Sequence, residues 1–258
     1  MNIFRNVVYD RINKDFCCGD WFIPDSPAPA GGYPAVLNIH GGGWGAMQKE
    51  DVEGIALLLA RNGFAVFNIN YRLAPQVNIA EIISDCQHAL QYMFAQQEYS
   101  LNREFIAVSG ASAGGHLALF TALSGIAPVA AVAAISPIAD VFADYELHKE
   151  RYRMIFGHQP ATEELVSINP GDIENFPAIP VCCTHYRYDE VVPVKSLLDF
   201  EQKFTARDGE IQTYIYDFQR YGQGHGIWRN QDFPKLLYED IETVITSFLK
   251  QHYQQQCR

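Results

Sequence analysis

The fold of this chain is decided by the segment Phe105-Ile106-Ala107-Val108-Ser109-Gly110-Ala111-Ser112-Ala113-Gly114-Gly115-His116. Its apolar beginning, 105–109, predicts a buried strand, and helical spacing of apolar residues follows Ser112. A serine with a glycine two positions before and two after suits a strand-to-helix turn so tight that a Cβ at either flank would meet neighbouring backbone. Such a turn strains the serine and lifts its hydroxyl clear of the sheet, beside the first N–H groups of the helix. We therefore predict that Ser112 is a nucleophile.

Apolar runs short enough for buried parallel strands alternate with helical segments along the rest of the chain. This alternation predicts an α/β fold: one domain, 1–258, with a doubly wound, mostly parallel sheet and helices on both faces. The segment 2–24 is expected to add antiparallel edge strands. The stretch 137–180 has no strand-like run but many aromatic and basic residues, and is predicted to be a packed lid insertion. The further strands are predicted at 35–39, 64–69, 129–135, 181–184 and 211–216, and helices at 51–62, 82–94 and 237–248.

The composition excludes several classes of protein. The 258 residues, 48% of them hydrophobic, suffice for one large domain whose core needs no disulfide. With 19 basic and 30 acidic residues, the net charge is −11, which disfavours nucleic acid and anionic membranes as partners. No apolar stretch reaches the ~18 residues of a membrane-spanning helix. The first 15 residues also lack the apolar region of a signal peptide.

The six cysteines occur as two adjacent pairs and two single residues. This spacing fits neither a disulfide framework nor a CxxC metal or redox site. We therefore expect reduced thiols and a cytoplasmic location.

A serine hydroxyl needs a base to remove its proton, and the base needs an acid to orient it. His225 is the predicted base, because its glycine-flanked loop, 223–228, follows the last predicted strand. Loops at that end of a parallel sheet lie over the same edge as the serine turn. His116 lies inside the helix, one turn after Ser112, and is expected to be a packing residue.

The acid should come between the serine and the histidine in the chain. Asp189 directly follows the predicted strand 181–184 and is the predicted acid. Asp140, which follows the preceding strand, is the second candidate.

A glycine-rich turn, His40-Gly41-Gly42-Gly43-Trp44, follows the predicted strand 35–39. Consecutive glycines let the backbone approach a substrate carbonyl and present its N–H groups without obstruction by side chains. We expect the N–H groups of Gly42 and Gly43, with that of Ala113, to stabilise the oxyanion of a tetrahedral intermediate.

Taken together, these residues resemble the α/β-hydrolase fold and, within it, the hormone-sensitive-lipase-like esterases and the small acetyl esterases. The resemblance covers about residues 33–250 and implies a catalytic triad of Ser112, Asp189 and His225, with no metal and no organic cofactor. It is carried, in chain order, by 40–44, Tyr71-Arg72-Leu73-Ala74-Pro75, 110–119, Asp189 with Val192-Pro193, and Gly224-His225-Gly226.

Two departures from these families bear on the substrate. Only 39 residues precede the HGGGW segment, fewer than in many relatives, so we expect a more open acyl pocket. Tyr186 and Arg187 replace a glycine and a small residue, and are expected to narrow the entrance or to place a cation near the substrate. We expect Trp44 and Tyr186 to contact the substrate.

The sequence thus predicts a carboxylesterase-type serine hydrolase that acts on small-molecule esters with short acyl chains. Acetylated sugars and aryl esters fit the aromatic residues of the insertion. Two alternatives stay open: an arylformamidase with the same triad, and a non-catalytic binding protein of the same fold. Exposed apolar residues in the insertion or an edge strand would allow a homodimer.

Overall fold

A mostly parallel β-sheet organises the part of the chain that the structure, a computed structural model, describes: residues 1–217, 225 and 239–256. Eight strands of these residues form one sheet in the order β1-β2-β4-β3-β5-β6-β7-β8. They are β1 (Asn2–Val8), β2 (Cys18–Ile23), β3 (Tyr33–Ile39), β4 (Ala65–Ile69), β5 (Leu101–Ala111), β6 (Val132–Ile135), β7 (Val181–Tyr186) and β8 (Ile211–Tyr216).

The first two strands pair antiparallel, β1 with β2 and β2 with β4, and every later pair is parallel. This confirms the antiparallel edge predicted for 2–24. β3 and β5 are neighbours in the sheet, with Ile39 opposite Gly110. The glycine-rich turn after β3 and the serine turn after β5 therefore leave the sheet side by side. In open α/β sheets, the crevice beyond the carboxyl ends of the strands is where ligands bind.

Two strands, β5 and β6, begin three or more residues from their predicted starts, and the bounds of β3, β4, β7 and β8 differ from the predicted ranges by at most two residues. β5 begins at Leu101 rather than at 105, because the polar residues that follow Leu101 face solvent and hide the strand from the apolar pattern. β6 begins at Val132 rather than at 129, since the N–H of Val129 closes a local turn onto the carbonyl of Ala127.

Helices cover both faces of the sheet, as predicted for a doubly wound fold. On one face, α1 (Glu53–Arg61) and α8 (Glu239–Gln256) bury apolar side chains such as Ile55 and Ile245. On the other, α2 (Ile79–Ala95), α3 (Ala113–Leu123) and α7 (Val194–Thr205) do the same. The predicted helix 237–248 is α8, and Leu237 lies outside the described residues.

The connection from β6 to β7 carries three short helices: α4 (Val141–Tyr145), α5 (Lys149–Phe156) and α6 (Thr162–Ile168). It is the segment predicted as an insertion. Within the described residues, no helix has both the length and the apolar composition needed to cross a membrane.

Candidate active site

The turn between β5 and α3 holds Ser112 in a strained conformation. Its φ is 59° and its ψ is −123°, in a region that residues other than glycine rarely adopt. A Cβ on Gly110 would lie 2.2 Å from the carbonyl oxygen of Gly114, and a Cβ on Gly114 would lie 2.2 Å from that of Ile39. Both flanking glycines are thus required by close approach of backbone, as the sequence predicts.

Three side chains from distant parts of the chain meet at this turn. Nε2 of His225 lies 2.8 Å from Oγ of Ser112, and its Nδ1 lies 2.7 Å from Oδ2 of Asp189. Ser112 is 6% exposed and Asp189 is 9% exposed. The carboxylate of Asp189 can only accept, so Nδ1 of His225 carries the proton and Nε2 offers its lone pair to the serine hydroxyl. This is the arrangement in which the imidazole can take the proton of Ser112.

The carboxylate of Asp189 is held by the backbone of its own loop. Oδ1 accepts hydrogen bonds from the N–H groups of Val191 and Val192, both at 2.9 Å, which leaves Oδ2 for His225. Nε2 of the buried His185 lies 3.6 Å from Oδ2 and 3.0 Å from the carbonyl oxygen of Val192. Burial by itself would raise the pKa of Asp189, but the hydrogen bond from His225 and that from Val192 hold it below its usual value. Asp189 is therefore ionised at neutral pH.

The glycine-rich turn after β3 lies directly against the nucleophile. A Cβ on Gly41 would lie 3.1 Å from Cβ of Ser112. Gly42 has a φ of 99°, and a Cβ there would lie 2.1 Å from the carbonyl oxygen of Ala46. Gly43 has a φ of 59°. These left-handed conformations favour glycine, and at Gly42 the close backbone contact requires it. We refer to residues 40–45 as the glycine loop.

The buried Tyr71 fixes the peptide units of the glycine loop, a role that the residue analysis did not assign. Its hydroxyl lies 3.0 Å from the carbonyl oxygen of His40 and 3.2 Å from that of Gly41 and donates to this pair. Nδ1–H of His40 donates to the carbonyl of Gly41 as well, at 2.8 Å. In a trans peptide the N–H points opposite to the C=O, so the N–H of Gly42 is directed away from Tyr71. The sequence signal for this residue is the segment 71–75, which contributes to the family resemblance.

The three predicted oxyanion donors lack a protein acceptor within the part of the chain that the structure describes. Ala113 is the first residue of α3, where N–H groups have no partner within the helix. For Gly42, Gly43 and Ala113, the N–H groups make no hydrogen bond to a protein acceptor in the described part of the chain.

Trp44 does not lie where the sequence placed it. Its side chain is fully buried, its Nε1–H lies 3.3 Å from Nδ1 of His116, and its ring meets Tyr152 edge-on. A residue without exposed surface offers no contact to a substrate, so we correct the expectation: Trp44 anchors the glycine loop in the core. Its partner His116 is a packing residue, as predicted. Nε2–H of His116 donates to the carbonyl of Ile168 at 2.8 Å, and burial lowers its pKa to about 4.

Tyr186 and Asp140 also have defined surroundings. Tyr186 is 8% exposed, meets the exposed ring of Tyr188 edge-on, and accepts the N–H of Asp189 on its carbonyl. Its contact with a substrate stays a prediction. Asp140, the second candidate acid, caps α4 and binds Lys203 at 2.8 Å. Both of its oxygens have structural partners, and Asp189 is the carboxylate beside His225.

The segment 137–180 braces two loops of the site. From α5, the side chain of Met154 approaches Gly45, and Tyr152 packs on Trp44. Between α4 and α5, Nε2 of His148 donates to the carbonyl of Val191, 2.7 Å away, in the loop that holds Asp189. The segment therefore contacts both the glycine loop and the acid loop.

One group of metal-ligating side chain types occurs among the described residues, outside this site: Asp10, Asp85 and His88. Both oxygens of Asp85 already accept hydrogen bonds from Arg72. In this group, Asp85 thus binds Arg72 and has a structural role.

Comparison with known proteins places these features in a family. A model of the BD-FAE family matches residues 20–204, which include Ser112 and Asp189. An AB hydrolase superfamily protein of Schizosaccharomyces pombe is 31% identical over 136 residues, 50% of this chain and 40% of that protein. Esterase LipC of Mycobacterium tuberculosis is 25% identical over 230 residues, 79% of this chain and 54% of that protein. The chain therefore spans about half the length, or less, of these two relatives.

A solved structure supports the fold over nearly the whole chain. It is a truncated form of a carbohydrate esterase from gut microbiota, with a TM-score of 0.82 and 20% identity. The likeness covers 98% of this chain and 97% of that one. The protein thus has the α/β-hydrolase architecture, as the sequence predicts.

Proposed function

Because the chain belongs to the BD-FAE family and has the α/β-hydrolase architecture, we propose that it is a serine carboxylic-ester hydrolase that forms an acyl-enzyme. The observation that carries the proposal is the hydrogen-bonded series from Ser112 through His225 to Asp189. The esterase names of several relatives agree with it.

In the acylation step, Oγ of Ser112 attacks the carbonyl carbon of the ester while its proton passes to Nε2 of His225. The carbonyl oxygen becomes an oxyanion and accepts hydrogen bonds from the N–H groups of Gly42, Gly43 and Ala113. Asp189, ionised beside Nδ1, stabilises the imidazolium. The C–O bond to the alcohol then breaks, and His225 returns the proton to the leaving oxygen.

In the deacylation step, water takes the place of the alcohol. His225 accepts a proton from the water as its oxygen attacks the acyl carbon, and the same three N–H groups bind the second oxyanion. The bond to Oγ of Ser112 breaks, the proton returns to Oγ, and a carboxylic acid leaves. The three side chains end in their starting protonation states.

We infer that the substrates are small esters with short acyl chains, acetylated sugars and aryl esters among them. Two similar proteins, an acetyl esterase of Salmonella agona and a carbohydrate esterase from gut microbiota, agree with this class. The cysteines of the described residues are unpaired thiols, which supports the cytoplasmic location. A homodimer stays a prediction.

The test is replacement of the nucleophile. Ser112→Ala removes the attacking oxygen, and we expect kcat for p-nitrophenyl acetate to fall at least about 10⁴-fold with the fold intact. A fluorophosphonate probe should label the wild type and not this variant. Ser167→Ala, on the exposed side of α6, is the matched control and should keep both labelling and turnover. Turnover by the Ser112 variant at the wild-type rate would rule out the assignment, and a faster wild-type reaction on N-formylkynurenine would favour an arylformamidase.

A further inference from the structure

Helix α5 presents a cation to the glycine loop. Arg151 lies on this helix with 18% of its side chain exposed, and its Nη1 donates to both oxygens of Asp144, at 2.9 and 3.1 Å. Asp144 is fully buried. Arg151 is thus fixed from one side by a carboxylate that solvent does not reach.

The other side of the guanidinium has no partner among the described residues. In the described part of the chain, Nε and Nη2 of Arg151 donate to no acceptor. These two N–H groups form the edge with which arginine binds a second carboxylate through two parallel hydrogen bonds. Asp144 binds Nη1 only, so it leaves both N–H groups of this edge available and holds the guanidinium in a fixed orientation.

Nε of this edge lies beside the glycine loop. A Cβ built on Gly43 would lie 3.6 Å from Nε of Arg151, and one built on Gly41 would lie 3.1 Å from Cβ of Ser112. The two glycines are two residues apart, a span of at most about 7 Å. The Ser112 side chain and the Arg151 guanidinium therefore border the same short loop, two residues apart.

The geometry points to Arg151 as a specificity-determining residue that binds a carboxylate of the substrate beside the scissile ester. The inference rests on the proposed function and narrows its substrate class to esters that carry a negative charge within a few bonds of the scissile carbonyl. Half-esters of dicarboxylic acids have this charge on the acyl side. Acyl esters of hydroxy acids have it on the alcohol side.

Residues of both charges surround Arg151: Glu146, Lys149 and Glu150 line the same surface depression. The nearby acidic residue on the same helix, Glu150, lies 3.9 Å from Arg153, and Asp144 is the carboxylate that contacts Arg151 within the described residues. A second cation, Arg187, lies exposed in the loop before Asp189. It is the other candidate for binding the carboxylate of the substrate, and the test distinguishes it from Arg151.

The test compares each charged ester with its neutral carboxamide. On the acyl side, monoethyl succinate and monoethyl adipate are set against ethyl succinamate and ethyl adipamate. On the alcohol side, 4-acetoxybenzoate is set against 4-acetoxybenzamide. We expect the wild type to prefer the charged member of at least one pair by roughly 10- to 100-fold in kcat/KM, the range of a hydrogen-bonded ion pair. The pair that shows the preference identifies the side of the ester that carries the charge.

Three variants then assign the preference to a residue. Arg151→Gln removes the positive charge and the paired N–H donors of the guanidinium, so the preference for the charged ester should fall to a ratio near one. Arg151→Lys keeps the charge and should retain part of the preference. Arg153→Gln, on the solvent side of α5, is the matched control and should keep the wild-type ratio. Because Arg151→Gln removes the arginine that pairs with the buried Asp144, the double variant Arg151→Gln/Asp144→Asn tests the same loss in a protein without that carboxylate charge.

Several outcomes would overturn the inference: no preference in the wild type, an equal loss on charged and neutral esters in Arg151→Gln, or a preference that disappears in Arg187→Gln instead. Calorimetry with Ser112→Ala separates this inference from the proposed function. Binding of the charged ester to that variant, lost when Arg151→Gln is added, supports the subsite even where the wild type hydrolyses nothing. Hydrolysis of neutral esters without any preference would leave the proposed function standing and reject the subsite.

Discussion

At the scale of single residues, the buried Tyr71 connects the core to the proposed chemistry. Its hydroxyl holds two carbonyls of the glycine loop, so the directions of the N–H groups on the far side depend on a side chain that no substrate touches. An oxyanion hole stabilises a transition state only when its donors are fixed before the reaction begins. Tyr71 is, in this sense, a positioning residue.

Replacement of this hydroxyl tests the point. Tyr71→Phe removes the hydroxyl that donates to the carbonyls of His40 and Gly41, and among the described residues only Gly41 keeps a second donor, Nδ1–H of His40. We expect kcat for p-nitrophenyl acetate to fall about tenfold with little change in KM. Tyr33→Phe removes a comparable hydroxyl, bound to the carbonyl of Ser26 away from the glycine loop, and should leave kcat unchanged. A rise in KM at constant kcat would mean that Tyr71 shapes the binding pocket rather than the donors.

At the scale of elements, the unit β5-turn-α3 depends on the absence of a side chain at Gly114. The backbone of this residue lies against the end of β3, where a Cβ would be 2.2 Å from the carbonyl oxygen of Ile39 and 2.4 Å from that of His40. Neither carbonyl can move without disturbing the glycine loop. The same contact therefore fixes the position of the serine turn relative to the glycine loop.

We expect Gly114→Ala to lower the free energy of unfolding by about 3 kcal/mol or more, because the added methyl group overlaps fixed backbone. Gly157→Ala is the matched control: this glycine has a φ of 78° but open space around its Cβ position. It should cost only about 1–2 kcal/mol, the strain of a left-handed residue. Urea unfolding of both variants gives the comparison, and equal losses would contradict the overlap.

At the scale of the whole molecule, buried neutral histidines make stability depend on pH. Burial lowers the pKa of His40 and of His116 to about 4, and lowers that of His185 as well. In the unfolded chain a histidine takes up its proton near pH 6.5. Between pH 6.5 and about 4 the unfolded state therefore binds more protons than the folded state, so stability is complete above pH 6.5 and is lost as the pH falls.

The free energy of unfolding should decrease from pH 7 to 5, by up to about 1.4 kcal/mol per pH unit for each such histidine. His116→Gln should reduce this slope by the contribution of one histidine, up to about 1.4 kcal/mol per pH unit, whatever its effect on stability at pH 7. His88→Gln, at a half-exposed position, is the control and should keep the wild-type slope. Urea titrations at three pH values give the slopes, and an unchanged slope in His116→Gln would show that its proton is not coupled to folding.

The sequence by itself determined the fold class and pointed to Ser112, His225 and Asp189, the three side chains that the structure brings together. Short apolar strands alternating with amphipathic helices specify a doubly wound sheet, because each element must bury its apolar face against a neighbour. The glycines around Ser112 and after His40 predict the two turns of the site, since only glycine fits where one backbone segment packs directly against another. Features of this kind depend on consecutive residues, so the sequence predicts them.

Only the tertiary structure decided what surrounds that site. Trp44 was misplaced because its burial depends on His116 and Tyr152, which reach it from other elements. The support that Tyr71 gives to the glycine loop and the free edge of Arg151 beside Gly43 also arise from contacts between distant segments. Side-chain direction and solvent exposure at such contacts follow from the packing of whole elements, and no spacing along the chain specifies them.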